Sequence, residues 1–134
     1  MSKLVVTTFL SLDGVMQGPG GPDEDRSGGF EHSGWLVPHF DDLMGQAIVA
    51  WTERADALLL GRRTYEIFAA YWPHVSDDDP IAAKLEHDLV DEYRLWIFPV
   101  LLGSGKRLFA EGTRPAGLDL VDTTTSSTGV VIQT

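Results

Sequence analysis

Cysteine is absent from the 134 residues, which excludes a disulfide framework, a thiolate nucleophile and a thiolate-ligated metal. Positive charge is scarce: ten Lys and Arg stand against twenty Asp and Glu, a formal net charge of −10. That balance repels phosphate backbones and anionic bilayers, so neither nucleic acid nor a membrane is an expected partner. No apolar run approaches the roughly 20 residues needed to span a bilayer. The opening run from Met1 to Leu10 holds one cation and a short apolar stretch, then meets Asp13 without a small-residue cleavage pattern. A cytoplasmic protein is therefore expected rather than an exported one. The four histidines, His32, His39, His74 and His87, do not fall at metal-ligand spacing, so no metal is expected. There is no nucleophile-elbow motif, which leaves serine hydrolysis with little support.

The remaining composition suits one domain spanning residues 1–134. Hydrophobic residues make up 43% and charged residues 22%, enough apolar surface to offset the entropy of ordering the chain. Lys3 to Leu12 is rich in Val, Thr, Phe and Leu and stops at Asp13-Gly14, which predicts a strand closed by a turn. Gly18 to Gly34 is dominated by glycine, proline and the acids Asp23-Glu24-Asp25, the composition of a long loop that serves as a binding element, a flap or a plain connection. Phe40, Leu43, Met44, Ala47, Ile48 and Trp51 recur at spacings of three and four and predict a helix with one buried face.

Ala55 to Leu60 is apolar and ends at Gly61, reading as a short buried strand. Tyr65, Phe68, Ala69 and Trp72 then mark the buried face of a second helix that Pro73 closes. Asp79 and Pro80 have the form of an N-cap and first position for a third helix lined by Ile81, Leu85 and Leu89. Glu92 to Leu102 reads as a strand in which Pro99 argues for an edge or a bulge. Gly117 to Thr123 and Gly129 to Thr134 predict a C-terminal hairpin. The class is α/β with an antiparallel C-terminal end.

Two places concentrate cations. In Leu58-Leu59-Leu60-Gly61-Arg62-Arg63-Thr64-Tyr65-Glu66, an apolar run meets a glycine, two arginines and a threonine that can cap the next helix. Backbone N–H groups, the positive end of the helix dipole and arginine forks would converge there on an anion. The competing reading is a solvated arginine pair. Four of the ten cations sit in two doublets just after glycines, which favours the anion site. The second doublet, Lys106-Arg107, follows Gly103-Ser104-Gly105 at the end of a strand, where ligands gather in α/β sheets or where a plain tight turn would serve. Asp13 closes the first strand and is a candidate to bind a polar heterocycle or shuttle a proton, against a purely structural role in a turn.

Taken together, Ser11-Leu12-Asp13-Gly14, Leu60 to Glu66, Leu89-Val90-Asp91-Glu92 and Pro99 to Phe109 resemble the dihydrofolate reductase-like superfamily, in the branch of the C-terminal reductase domain of the bifunctional riboflavin-biosynthesis deaminase-reductase. The resemblance implies a mixed sheet flanked by helices and an NADPH-dependent reductase of a small pterin- or pyrimidine-like substrate. It further implies that Gly61, Arg62, Arg63 and Thr64 hold cofactor phosphates. Phe9, Asp13 and Gly14 would line the nicotinamide and substrate cleft, and Gly103, Ser104 and Gly105 would form the turn beside it. One departure stands out: the segment from Asp79 to Leu85 runs straight into Glu86 to Glu92, where the family carries a central block with a second glycine-rich phosphate turn. A shortened fold implies unpaired strand edges, at Tyr93 to Leu102 and at the hairpin ending in Ile132, and hence a homodimer, with domain swapping through Pro80 to Leu89 as one route. The alternative function is a non-catalytic nucleotide-binding or dimerising remnant of the same fold.

Overall fold

The computed structural model describes residues 3–71 and 90–134. The expected helix from Pro80 to Leu89, with Trp72 and Pro73, and the departure from the family's central block lie outside those residues.

Val5–Ser11 forms β1, and its β-branched and aromatic residues suit a pleated surface with one packed face. Glu92–Phe98 forms β2, which runs parallel to β1 with Phe9 beside Trp96 and Ser11 beside Phe98. Thr123–Thr125 (β3) and Val131–Gln133 (β4) make the C-terminal hairpin. β4 pairs antiparallel with β2, placing Ile132 beside Trp96, so the sheet order is β1-β2-β4-β3. A mixed sheet with helices, an α/β fold, is thus what this chain adopts.

The first helix, α1, spans Asp42–Glu53. Asp41 caps it by accepting from the Met44 N–H at 3.0 Å, and its other oxygen accepts from Ser127 Oγ at 2.7 Å in the hairpin turn. These donors stabilise the anion and lower the Asp41 pKa, with the Ser127 hydroxyl contributing most. Met44 is fully buried, and Ala47, Ile48 and Trp51 pack on the core. Phe40 and Leu43, expected on that face, are 46% and 37% exposed, because Phe40 precedes the cap and the stripe starts one turn later.

The core lies between α1 and one face of the sheet. Trp96 and Phe98, two residues apart on β2, are both fully buried. Phe9 and Trp51 meet Trp96 edge-on at 5.4 and 5.1 Å, and Trp35 meets Phe98 at 5.2 Å, all near-perpendicular contacts that aromatic quadrupoles favour. Arg94, paired with Glu92 at 2.7 Å, lies 4.6 Å over the Trp51 ring and closes the end of this cluster.

Four expectations need correction. Residues 55–60 are not a buried strand: they pair with no strand among the described residues, and Leu58 and Leu59 are 58% and 43% exposed. Apolar composition alone does not make a strand without a partner ladder. Nor is β2 an edge; it is paired on both sides, and Pro99 falls just past its last residue, where a missing N–H costs no ladder bond. Ile132 is buried rather than on an open edge, so among the described strands β1 and β3 form the edges instead. Finally, Tyr65, expected on the buried face of the second helix, α2 (Arg62–Tyr71), is 37% exposed in its first turn.

Candidate functional site

β1 ends in a turn that the sheet's geometry brings against the segment following β2. Ser11, buried at the strand end, donates from Oγ to Asp13 at 2.6 Å and accepts from the Val15 N–H at 2.9 Å. The Asp13 carboxylate also accepts from the backbone N–H groups of Gly103 at 2.7 Å and Leu102 at 3.2 Å. These donors, the Ser11 hydroxyl foremost and the Gly103 N–H next, lower its pKa from 3.8 to about 2. The Asp13 carboxylate is thus held as an acceptor that ties the end of β1 to the Leu102-Gly103 turn. Arg107 Nε donates to the Asp13 carbonyl at 3.1 Å, and Val15 and Arg107 form an isolated antiparallel bridge.

The same alignment fixes the glycines. Gly103 adopts φ +78° in open space. Gly105 adopts φ +130°, and a Cβ there would come within 2.6 Å of Val15 Cγ1 and 3.1 Å of Phe30 Cε2. Glycine at 105 is thus required on two counts, conformation and space. Ser104 is exposed at the tip.

Gly61, Arg62, Arg63 and Thr64 are all exposed at the beginning of α2. The helix begins at Arg62, so Thr64 lies inside its first turn and does not cap it, and Gly61 before it has no side chain with which to do so. The Tyr65 N–H donates to the Gly61 carbonyl at 2.8 Å, the first bond of the helix. Among the described residues Arg62 has no ion-pair partner. Arg63 Nη1 contacts Asp25 Oδ1 at 2.9 Å, and Lys106 Nζ contacts Asp25 Oδ2 at 2.6 Å. One carboxylate in the glycine-rich loop thereby joins the two cation doublets. The Lys106 ammonium, and after it the Ser27 side chain, holds the Asp25 pKa well below the usual carboxylate range.

A buried amide organises this junction. Gln17, 5% exposed, accepts from the Lys106 N–H at 3.1 Å through Oε1 and donates from Nε2 to the carbonyls of Ser27 at 2.9 Å and Asp25 at 3.2 Å. Its own carbonyl accepts from Trp35 Nε1 at 2.9 Å. The structure therefore brings together Asp13, Gly103, Gly105 and Arg107, and links Arg63 to Lys106 through Asp25. Phe9 stands apart, mid-strand in the aromatic core. Asp25 and Gln17 are the residues that the sequence pattern did not single out. The acidic run Asp23-Glu24-Asp25 inside a long loop was the available hint.

The RibD C-terminal domain family matches this chain over residues 80–132. That stretch carries β2, the Gly103 turn, Lys106 and the hairpin, and stops short of the arginine doublet. YyaP of Bacillus subtilis (strain 168), itself uncharacterised, is 54% identical over 43 residues, which are 32% of this chain and 23% of that protein. A crystal structure of a Shewanella sp. PV-4 protein named for riboflavin biosynthesis superposes with a TM-score of 0.64 at 18% identity, covering 98% of this chain and 97% of that one. At that identity the likeness is one of fold. The family match thus covers less than half of the chain, and the structural likeness adds the fold. No helix among the described residues is long and apolar enough to cross a membrane.

Proposed function

We propose that the chain is an NADPH-dependent reductase of a small pterin- or pyrimidine-like substrate. The observation that carries this reading is the pair of exposed arginines after Gly61 at the start of α2, one of them drawn toward Lys106 at the end of the β2 segment. The residues present suit a phosphorylated dinucleotide. Arginine forks match phosphate oxygens, the first turn of α2 adds partial positive charge, and glycines at 61 and 103 leave the backbone open to close approach. In this reading Gly61, Arg62, Arg63 and Thr64 hold phosphate, and Gly103, Ser104 and Gly105 border the cofactor.

The nicotinamide nucleotide supplies the hydride when bound. What the chain's own residues do is bind and orient. Asp13, ionised and tied to Gly103 and Leu102, fixes the turn between the two strand ends, and with Gly14 it borders the substrate position. Phe9 contributes from beneath, through the core on which β1 rests. We also propose that the protein works as a cytoplasmic homodimer. Titration with NADPH and with NADH, followed by nicotinamide fluorescence, tests the reading: tighter binding of NADPH supports it, and failure of both nucleotides to bind overturns it in favour of a non-catalytic module.

A further inference from the structure

Asp25 holds an unusual position for an acid in this protein. Its side chain is 15% exposed, whereas the Arg63 and Lys106 side chains it bridges are 67% and 52% exposed. The carboxylate is thus tucked beneath two cations that reach solvent. The backbone around it is held independently: the Asp25 carbonyl accepts from Gln17 Nε2 at 3.2 Å and Ser33 Oγ at 3.2 Å. Turning the Asp25 side chain away would free both cations and the Ser27 N–H it accepts at 3.0 Å, while the Gln17 and Ser33 bonds still hold the loop backbone.

We infer that Asp25 is a built-in competitor for the anion that Arg63 and Lys106 bind, so that this cation pair accepts a phosphate monoester at the expense of the internal carboxylate. The inference rests on the reading of the Arg62-Arg63 turn as a phosphate site. A carboxylate carries one negative charge and two acceptor oxygens. A phosphate monoester carries nearly two charges and three strong acceptor oxygens, and displaces it. Phosphodiesters, with one charge per phosphorus, gain less from the exchange. Asp25 thereby reserves the cation pair for a terminal phosphate.

Asp25→Asn keeps an oxygen that can accept from the Ser27 N–H, now at 3.0 Å, and removes the charge. Calorimetric titration of the full chain with inorganic phosphate and, separately, with NADPH should show about tenfold tighter binding of both to the variant. That gain should vanish when Arg63→Gln and Lys106→Gln are added. Tightening for inorganic phosphate alone, with no NADPH binding in any form, would uphold the competitor and overturn the reductase reading. Unchanged or weaker phosphate binding by Asp25→Asn would overturn the competitor, whatever NADPH does; wild-type protein that still binds NADPH would leave the reductase reading standing.

Discussion

The Asp13 carboxylate receives the Gly103 N–H at 2.7 Å across 90 positions of sequence, joining the end of β1 to the turn after β2. Because the Leu102 and Gly103 donors and the Ser11 hydroxyl converge on it, removal leaves several polar groups without their acceptor. Asp13→Ala should cost about 1–3 kcal/mol in urea unfolding at neutral pH.

The same residue predicts an acid dependence. With its pKa lowered to about 2 in the folded chain against an ordinary 3.8, its contribution is fully present above pH ~4 and is lost as pH falls toward ~2. Asp13→Asn should flatten that part of the stability profile, as read by urea melts at pH ~5 and ~3. An unchanged slope would show that Asp13 is not tied in solution.

Gly105→Ala and Gly103→Ala form a matched pair. Both place a side chain at positive φ, which costs roughly 1–2 kcal/mol. At 105 the added carbon also meets Val15 Cγ1 at 2.6 Å, so that variant should lose a further ~1–3 kcal/mol. Equal melting temperatures for the two variants would contradict the packing described.

Much of the fold was legible because its signals are local. The β-branched and aromatic content of Val5–Ser11, closed by Asp13-Gly14, and the three-four spacing from Met44 to Trp51 are properties of short stretches of chain. Pairing is not local, which is why Leu58 to Leu60 misled: its apolar residues say nothing about whether a partner strand lies alongside. The position of β2 at the centre of the sheet likewise depends on β1 and β4, far away in sequence. At the site, the glycine–cation doublets were visible as clusters. Asp25 was not, since its partners Arg63 and Lys106 lie 38 and 81 positions away and only the folded chain brings them together.

The proposed homodimer gives a simple expectation. β1 presents an outer edge with no partner strand among the described residues, and Leu58 and Leu59 are exposed. Light scattering over a wide dilution range should give twice the 14.7 kDa chain mass. A cooperative melt at a mass of 14.7 kDa would show that the chain closes on itself.

The proposed phosphate site for NADPH at the start of α2 is probed by measuring NADPH and NADH affinities of the wild type and of the Arg62→Ala, Arg63→Ala double variant by nicotinamide fluorescence. Each charge-assisted contact contributes roughly 1.5–3 kcal/mol, so NADPH should weaken by about 10²-fold or more while NADH changes little. Equal losses for the two nucleotides would contradict the assignment.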